Sequence, residues 1–254
     1  MKNELMQTGG SDLILCRGLS KNYGINWALQ DVNLQIGSGK IIGLLGPNGS
    51  GKTTLIKILC SLLQKTSGEV FVDGQVPGPR TKAVISYLPD RPYFPDWMKA
   101  DEMLNFFEDF YADFDRERAN AMCRSLGIVT SQKFKTMSKG TKEKIQLILV
   151  MSRRAKLYLL DEPIAGVDPA ARDFILDTIL KNYDASASVI ISTHLITDIE
   201  RALDEVIFLQ NGVVIKHDSV DNIRASEGKS VDAVFREIFR ANPYYGDGGD
   251  YNAC

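Results

Sequence analysis

The stretch Gly46-Pro47-Asn48-Gly49-Ser50-Gly51-Lys52-Thr53 fits the pattern G-x-x-x-x-G-K-[ST], and its flanks leave the fold little freedom. Residues 40–45 are a short apolar run that reads as a buried strand. Across 52–63, Leu55, Ile58, Leu59 and Leu62 recur at helical spacing. Strand, glycine-rich loop and helix in that order make a phosphate cradle. Glycines let backbone N–H groups curl round phosphate oxygens, and the helix N-terminus adds a partial positive charge. Lys52 is placed for the outer phosphates, and the Thr53 hydroxyl for Mg²⁺. Gly46, Asn48, Gly49, Ser50, Gly51 and Thr54 complete the expected nucleotide contacts.

Such a loop needs a carboxylate at the end of a neighbouring buried strand, and Leu157-Tyr158-Leu159-Leu160-Asp161-Glu162 supplies one. Asp161 is the expected metal-side carboxylate; Glu162, one residue on, is the expected general base toward the attacking water. The competing reading is that both acids cap a helix with Pro163 in its first turn. His194 closes the apolar run Ile191-Ser192-Thr193-His194 and is the expected third contact near the γ-phosphate, since open α/β sheets bind ligands at their strand ends.

Apolar runs at 157–160 and 189–192, with a helical stretch at about 170–180 between them, read as a parallel sheet with crossover helices. Residues 13–16 and 28–36 suggest a small antiparallel sheet. Asn211-Gly212 between 206–209 and 213–215 is a hairpin signal, and an amphipathic helix is expected at 231–239. The expected organisation is a flexible start at 1–12, an ATP-binding core with an antiparallel subdomain at 13–88 and 155–224, a helical subdomain at 89–154, and a C-terminal helix with a loose tail at 225–254.

Composition narrows the partners. Thirty Lys plus Arg against 32 Asp plus Glu, a formal net charge of -2, leave no basic field for a nucleic-acid backbone, so no nucleic-acid partner is expected. The four cysteines are scattered without paired spacing, which fits a reducing cytoplasm. No secretory leader is expected at the start, and no apolar run approaches the ~20 residues that span a bilayer.

The order of these elements, from about residue 13 to 223, resembles the nucleotide-binding subunit of ABC transporters. That resemblance implies an α/β fold: a P-loop NTPase (RecA-like) core with a mixed central sheet, a small antiparallel β subdomain and a helical insertion. Tyr23 is similar to the family's adenine-stacking aromatic. Met137-Ser138-Lys139-Gly140-Thr141-Lys142 resembles the signature loop, read here as preceding a helix at 143–151; in the family it grips the γ-phosphate held by the opposite subunit, through Ser138 and Gly140 in this chain. Asp168 falls in the loop expected to cross the dimer interface.

Two positions depart from the family pattern. Lys139 and Thr141 replace a Gly and a Gln of the usual Ser-Gly-Gly-Gln, and Asp90 stands where a Gln links metal, water and helical lobe. Asp90 can still take Mg²⁺ or its waters as a hard oxygen ligand; the alternative is an ion pair with a neighbouring arginine, such as Arg91 of a partner.

The resemblance thus implies ATP and Mg²⁺ as cofactors, a homodimer or heterodimer of ATP-binding subunits, transmembrane permease subunits as partners, and a place on the cytoplasmic face of the plasma membrane. The unusual signature resembles exporter-type bacterial members, with the direction of transport left open. Phe94, Trp97 and Met98 are candidates for the permease docking groove, or for the core of the helical lobe. A non-transport ABC-type ATPase and a regulatory ATP-binding module are the alternatives.

Overall fold

The computed structural model describes residues 12–165, 167 and 169–240. The expected loose tail and the Asp168 position lie outside the described residues, as does nearly all of the expected flexible start. In chain order the elements are β1 (Ile14–Tyr23), β2 (Asn26–Ile36), β3 (Ile41–Leu45), α1 (Lys52–Leu59), β4 (Ser67–Val72), α2 (Pro79–Lys82), β5 (Ile85–Leu88), α3 (Ala100–Phe110), α4 (Arg116–Ser125), α5 (Lys139–Met151), β6 (Leu157–Asp161), α6 (Pro169–Asn182), β7 (Ser188–Thr193), α7 (Ile196–Ile199), β8 (Glu205–Gln210), β9 (Val213–Ser219), α8 (Val220–Glu227) and α9 (Val231–Arg240).

A six-stranded sheet runs β5-β6-β7-β3-β8-β9, parallel except for the β8/β9 hairpin, and a separate antiparallel sheet runs β2-β1-β4. The parallel strands are apolar at nearly every position because both sheet faces are covered. Along β6, Leu157 and Leu159 face a core shared with α1 and the antiparallel sheet, while Tyr158 and Leu160 face one shared with α3, α4, α5 and α6. Leu159 is fully buried; truncating such a leucine to alanine costs about 2–5 kcal/mol.

Because β3, β6 and β7 are parallel, their C-terminal ends meet on one edge, where Leu45 is in register with Thr193, and Asp161 with Ser192. The hairpin expected at Asn211-Gly212 has φ of 49 and 80 at those residues, the positive pair that a tight primed turn needs. Its tip fixes the phosphate loop: the Gly212 N–H donates to the Ser50 carbonyl (2.9 Å), and the Gln30 N–H donates to the Gly212 carbonyl (2.8 Å). The helical lobe is joined to the core by Arg153, 2% exposed. It donates to both carboxylate oxygens of Asp113 (3.0 Å each) and to the Ala83 carbonyl (2.8 Å), with its guanidinium 3.9 Å from the Tyr111 ring centroid. Removing one partner of such a buried pair costs about 3–5 kcal/mol.

Two expected helix bounds are corrected, the expected antiparallel sheet gains a strand, and one open alternative is decided. The helix expected over 52–63 ends at Leu59; Ser61 takes a positive φ of 56, and Leu62 is 55% exposed, so its fit to the helical period was accidental. The helix expected from residue 143 starts at Lys139, because Ser138 caps it by accepting the Thr141 N–H at 3.2 Å. The antiparallel sheet has a third strand, β4, which pairs with β1. Of the residues expected in either a docking groove or the lobe core, Phe94 is in the core, buried against Phe107 and Phe134, whereas Trp97 is exposed.

Candidate active site

The loop between β3 and α1 requires glycine at two points for reasons of space. A Cβ on Gly46 would lie 2.3 Å from the Leu209 carbonyl oxygen, and one on Gly51, whose φ is 107, would lie 2.3 Å from that of Ala28. Asn48 and Gly49 are exposed on the loop, while Thr53 and Thr54 are half-buried at the start of α1. Together with Ser50, Gly51, Lys52, Asp90 and Glu162 they line a cleft of about 300 Å³. Lys52 is 5% exposed, and its ammonium is folded back across the loop. It donates to the Gly46 carbonyl (2.7 Å) and the Pro47 carbonyl (3.2 Å), and stands 3.3 Å from Glu162 Oε1.

Asp161 is fully buried at the end of β6. Its Oδ1 accepts hydrogen bonds from Ser192 Oγ (2.6 Å) and Thr53 Oγ1 (3.1 Å), while Oδ2 is buried with no partner. Burial raises the carboxyl above its ordinary value; the two hydroxyl bonds oppose that, and the Asp90 and Glu162 charges add to it. Thr53 spends its single hydroxyl hydrogen on Asp161, which leaves its lone pairs open.

An orphaned carboxylate oxygen, open hydroxyl lone pairs and the Asp90 carboxylate on the cleft rim form a hard-oxygen donor set that fits Mg²⁺. Among the described residues no group of three or more His, Cys, Asp or Glu forms a metal cluster, so a cation here would be held jointly with phosphate and water.

Glu162 carries a φ of 52, uncommon for a residue with a side chain and costing of order 1–3 kcal/mol. Its backbone N–H is held by both the carbonyl (3.1 Å) and the hydroxyl (3.0 Å) of Ser192. Its Oε2 meets His194 Nδ1 at 3.1 Å, and the His194 side chain is 42% exposed. Asp161 and Glu162 therefore point differently, one into the buried strand end and one across the cleft. Among the described residues, the hydrogen bonds of the two carboxylates run to Ser192, Thr53 and His194.

Asp90 follows β5 on the cleft rim, with Arg91 of the same chain 3.9 Å away and 90% exposed, a pair that solvent largely screens. Tyr23 ends β1, is 53% exposed under Lys21, and does not line the cleft, which reaches the antiparallel sheet through Ala28. Ser138 and Gly140 lie exposed in the first turn of α5 and do not line it either. The structure thus brings together the phosphate loop, Lys52, Thr53, Asp90, Asp161, Glu162 and His194, but not Tyr23, Ser138 or Gly140. Ser192, which bonds to both acids, was not singled out in the sequence; a serine inside an apolar strand two residues before His194 was the only signal.

The ABC transporter family model matches residues 29–165. The ABC transporter ATP-binding protein YtrB of Bacillus subtilis (strain 168) is 32% identical over 215 residues, covering 84% of this chain and 74% of that protein. The SkfA peptide export ATP-binding protein SkfE of the same organism is 28% identical, covering 80% of this chain and 88% of that one. A solved ATP-binding subunit of an ABC transporter superposes with a TM-score of 0.81 at 27% identity, covering 89% of this chain and 99% of its own. With that likeness joined to a strand-loop-helix phosphate cradle and two acids at the end of β6, the chain belongs to the ABC transporter family, as an ATP-binding subunit with ATPase activity.

Proposed function

We propose that two copies of this chain, or one copy and a related subunit, close on two ATP molecules and drive a membrane transporter by binding and hydrolysing them. The observation that carries this reading is the position of Gly140. A Cβ there would meet nothing within 4 Å, and its φ lies outside the left-handed range, so nothing among the described residues requires a glycine. A group approaching closely from outside the chain would. Ser138 is exposed beside it and does not line the chain's own cleft, which supports a site completed by a second chain. The cassette MJ0796, which shares this fold at a TM-score of 0.71 and 21% identity, has been solved as a dimer bound to ADP and Pi.

In the proposed site Lys52 leaves its loop carbonyls for the outer phosphates, and Thr53, Asp161 and Asp90 would hold Mg²⁺, which would offset the phosphate charge. Glu162 orients and deprotonates the attacking water, and His194 steadies that carboxylate beside the γ-phosphate. Ser138, Gly140 and Asp168 act across the interface, and Tyr23 stacks on adenine.

The link to a membrane partner is supported by Asp90, whose loop lines the phosphate cleft, a gap against α5, and a 510 Å³ groove walled by Tyr87, Tyr93, Phe107 and Tyr111. Attachment through permease subunits at the cytoplasmic face belongs to this reading; no helix among the described residues is long and apolar enough to cross a membrane. Export is the favoured direction, by likeness to SkfE, named for peptide export.

The test is the molecular mass of Glu162→Gln in solution with and without ATP. An ATP-dependent doubling supports the shared site, whereas a monomer at saturating ATP and permease-free turnover by the wild type would refute it.

A further inference from the structure

Outside the residues matched to the family's motifs, one buried side chain touches both acids of the site. Ser192 is fully buried in β7, in register with Asp161. A serine hydroxyl has one hydrogen to donate and lone pairs to accept. Here the hydrogen goes to Asp161 Oδ1 at 2.6 Å, and a lone pair takes the Glu162 N–H at 3.0 Å. Two consequences follow from that single oxygen.

The first concerns the carboxylate. Thr53 Oγ1 also donates to Oδ1, so both available hydroxyls sit on one oxygen, and Oδ2 is left buried without a partner. The direction in which Asp161 presents its open oxygen is thereby fixed. The second concerns the backbone. Glu162 sits at a φ of 52, where a residue with a side chain rarely rests unless neighbours hold it. Its N–H is shared between the Ser192 carbonyl and hydroxyl, so Ser192 holds that turn from both its main chain and its side chain.

We propose that Ser192 is a positioning residue for the ATPase: its hydroxyl selects which Asp161 oxygen faces the metal and holds Glu162 in the backbone turn that aims its carboxylate across the cleft. The plain alternative is that Ser192 only satisfies buried polar groups and stabilises the sheet. The two readings differ in what its removal changes. Lost stability alone would leave the metal dependence of nucleotide binding as it was, whereas a misaimed Asp161 would weaken the metal-dependent part of ATP binding and spare the part made by the phosphate loop.

The inference rests on the ATP-binding reading above, so nucleotide binding by the wild type in EDTA is measured first and separates failure of that reading from failure of this one. A fluorescent ATP analogue is titrated into wild type, Ser192→Ala and Ser192→Thr, in EDTA and across a Mg²⁺ series, with Tm recorded for each. For Ser192→Ala we expect unchanged affinity in EDTA, a Mg²⁺ half-saturation raised about 10-fold or more, and a kcat lowered about 10–100-fold with KM for ATP at saturating Mg²⁺ nearly constant. Ser192→Thr, which keeps the hydroxyl, should recover most of both effects. A Ser192→Ala protein with wild-type Mg²⁺ half-saturation would overturn the proposal whatever its Tm, and so would equal losses for the alanine and threonine variants. The binding series decides the matter even if turnover requires a membrane partner.

Discussion

Lys52 of the phosphate loop and Glu162 after β6 face one another at 3.3 Å, as an ion pair without hydrogen-bond alignment, with side chains 6% and 15% exposed. The contact joins the cation expected on the phosphates to the carboxylate expected on the water. Both groups cannot serve each other and the nucleotide at once. Lys52→Ala should therefore weaken nucleotide binding about tenfold or more, since hydrogen bonds to charged groups contribute about 1.5–3 kcal/mol. In a double-mutant cycle with Glu162→Gln, the two substitutions should couple in the thermal stability of the free protein and become closer to additive in its nucleotide complex. Equal coupling in both would mean that Lys52 does not change partners.

His194 tests a different edge of the same carboxylate. Its Nδ1 meets Glu162 Oε2 at 3.1 Å, yet its side chain is 42% exposed, so it adds little to the core. His194→Ala should leave Tm within about a degree or two, because surface substitutions stay within roughly ±0.5 kcal/mol. Turnover should nevertheless fall about 100-fold or more, in the range of a lost acid–base or orienting contact. Differential scanning calorimetry and steady-state ATP hydrolysis on one preparation separate the two effects; a fall in Tm matching the fall in rate would make His194 structural.

What could be read from the sequence follows from how local each signal is. The phosphate loop, the Asp161 strand and the Asn211-Gly212 hairpin are each written within a dozen or so consecutive residues, and each appears where it was expected. The third antiparallel strand, β4, was missed because its partner, β1, lies some fifty residues earlier and only that pairing makes it a strand. The start of α5 was misplaced because a glycine two residues after the cap reads as a loop, although in a first turn it costs little. Ser192 was overlooked for the opposite reason. In the sequence it is one polar residue in an apolar strand, and only the register with Asp161 gives it a task.

The pH dependence of stability should carry a mark of Glu205, far from the cleft. Burial alone would raise its carboxyl, but hydrogen bonds and charge from Lys40 and His217 outweigh that and hold it below its usual 4.5. A carboxylate lowered by folding stabilises the protein above its unfolded value, and that contribution is lost as pH falls through the folded one. Lys40 is 40% exposed, so solvent screening keeps the effect small. Glu205→Gln should lower Tm by a few degrees at pH 7, and the gap from wild type should close as pH drops below 4.5. Thermal melts from pH 3 to 8 would read it; a gap constant across that range would assign the loss to packing.

A shared site makes a prediction about mixtures that no single-chain mechanism makes. Lys52→Ala spoils the phosphate loop and leaves Ser138 and Gly140 intact. Gly140→Arg spoils the expected grip in trans and, with open space around that position, leaves its own loop and fold intact. Each variant alone should be nearly silent. In a homodimer, a chain of one kind facing a chain of the other builds one complete site, from the Lys52 of one and the Gly140 of its partner. Random mixing in equal amounts makes half the dimers mixed, each with one of two sites whole, so turnover should recover to at most about a quarter of wild type. Mixing the variants and following phosphate release, with each alone as control, measures this directly. Activity no greater than the average of the two alone would mean that Gly140 does not complete its partner's site in a homodimer. Recovery would locate the active unit at the interface, with the phosphate loop and the α5 turn contributed by different chains.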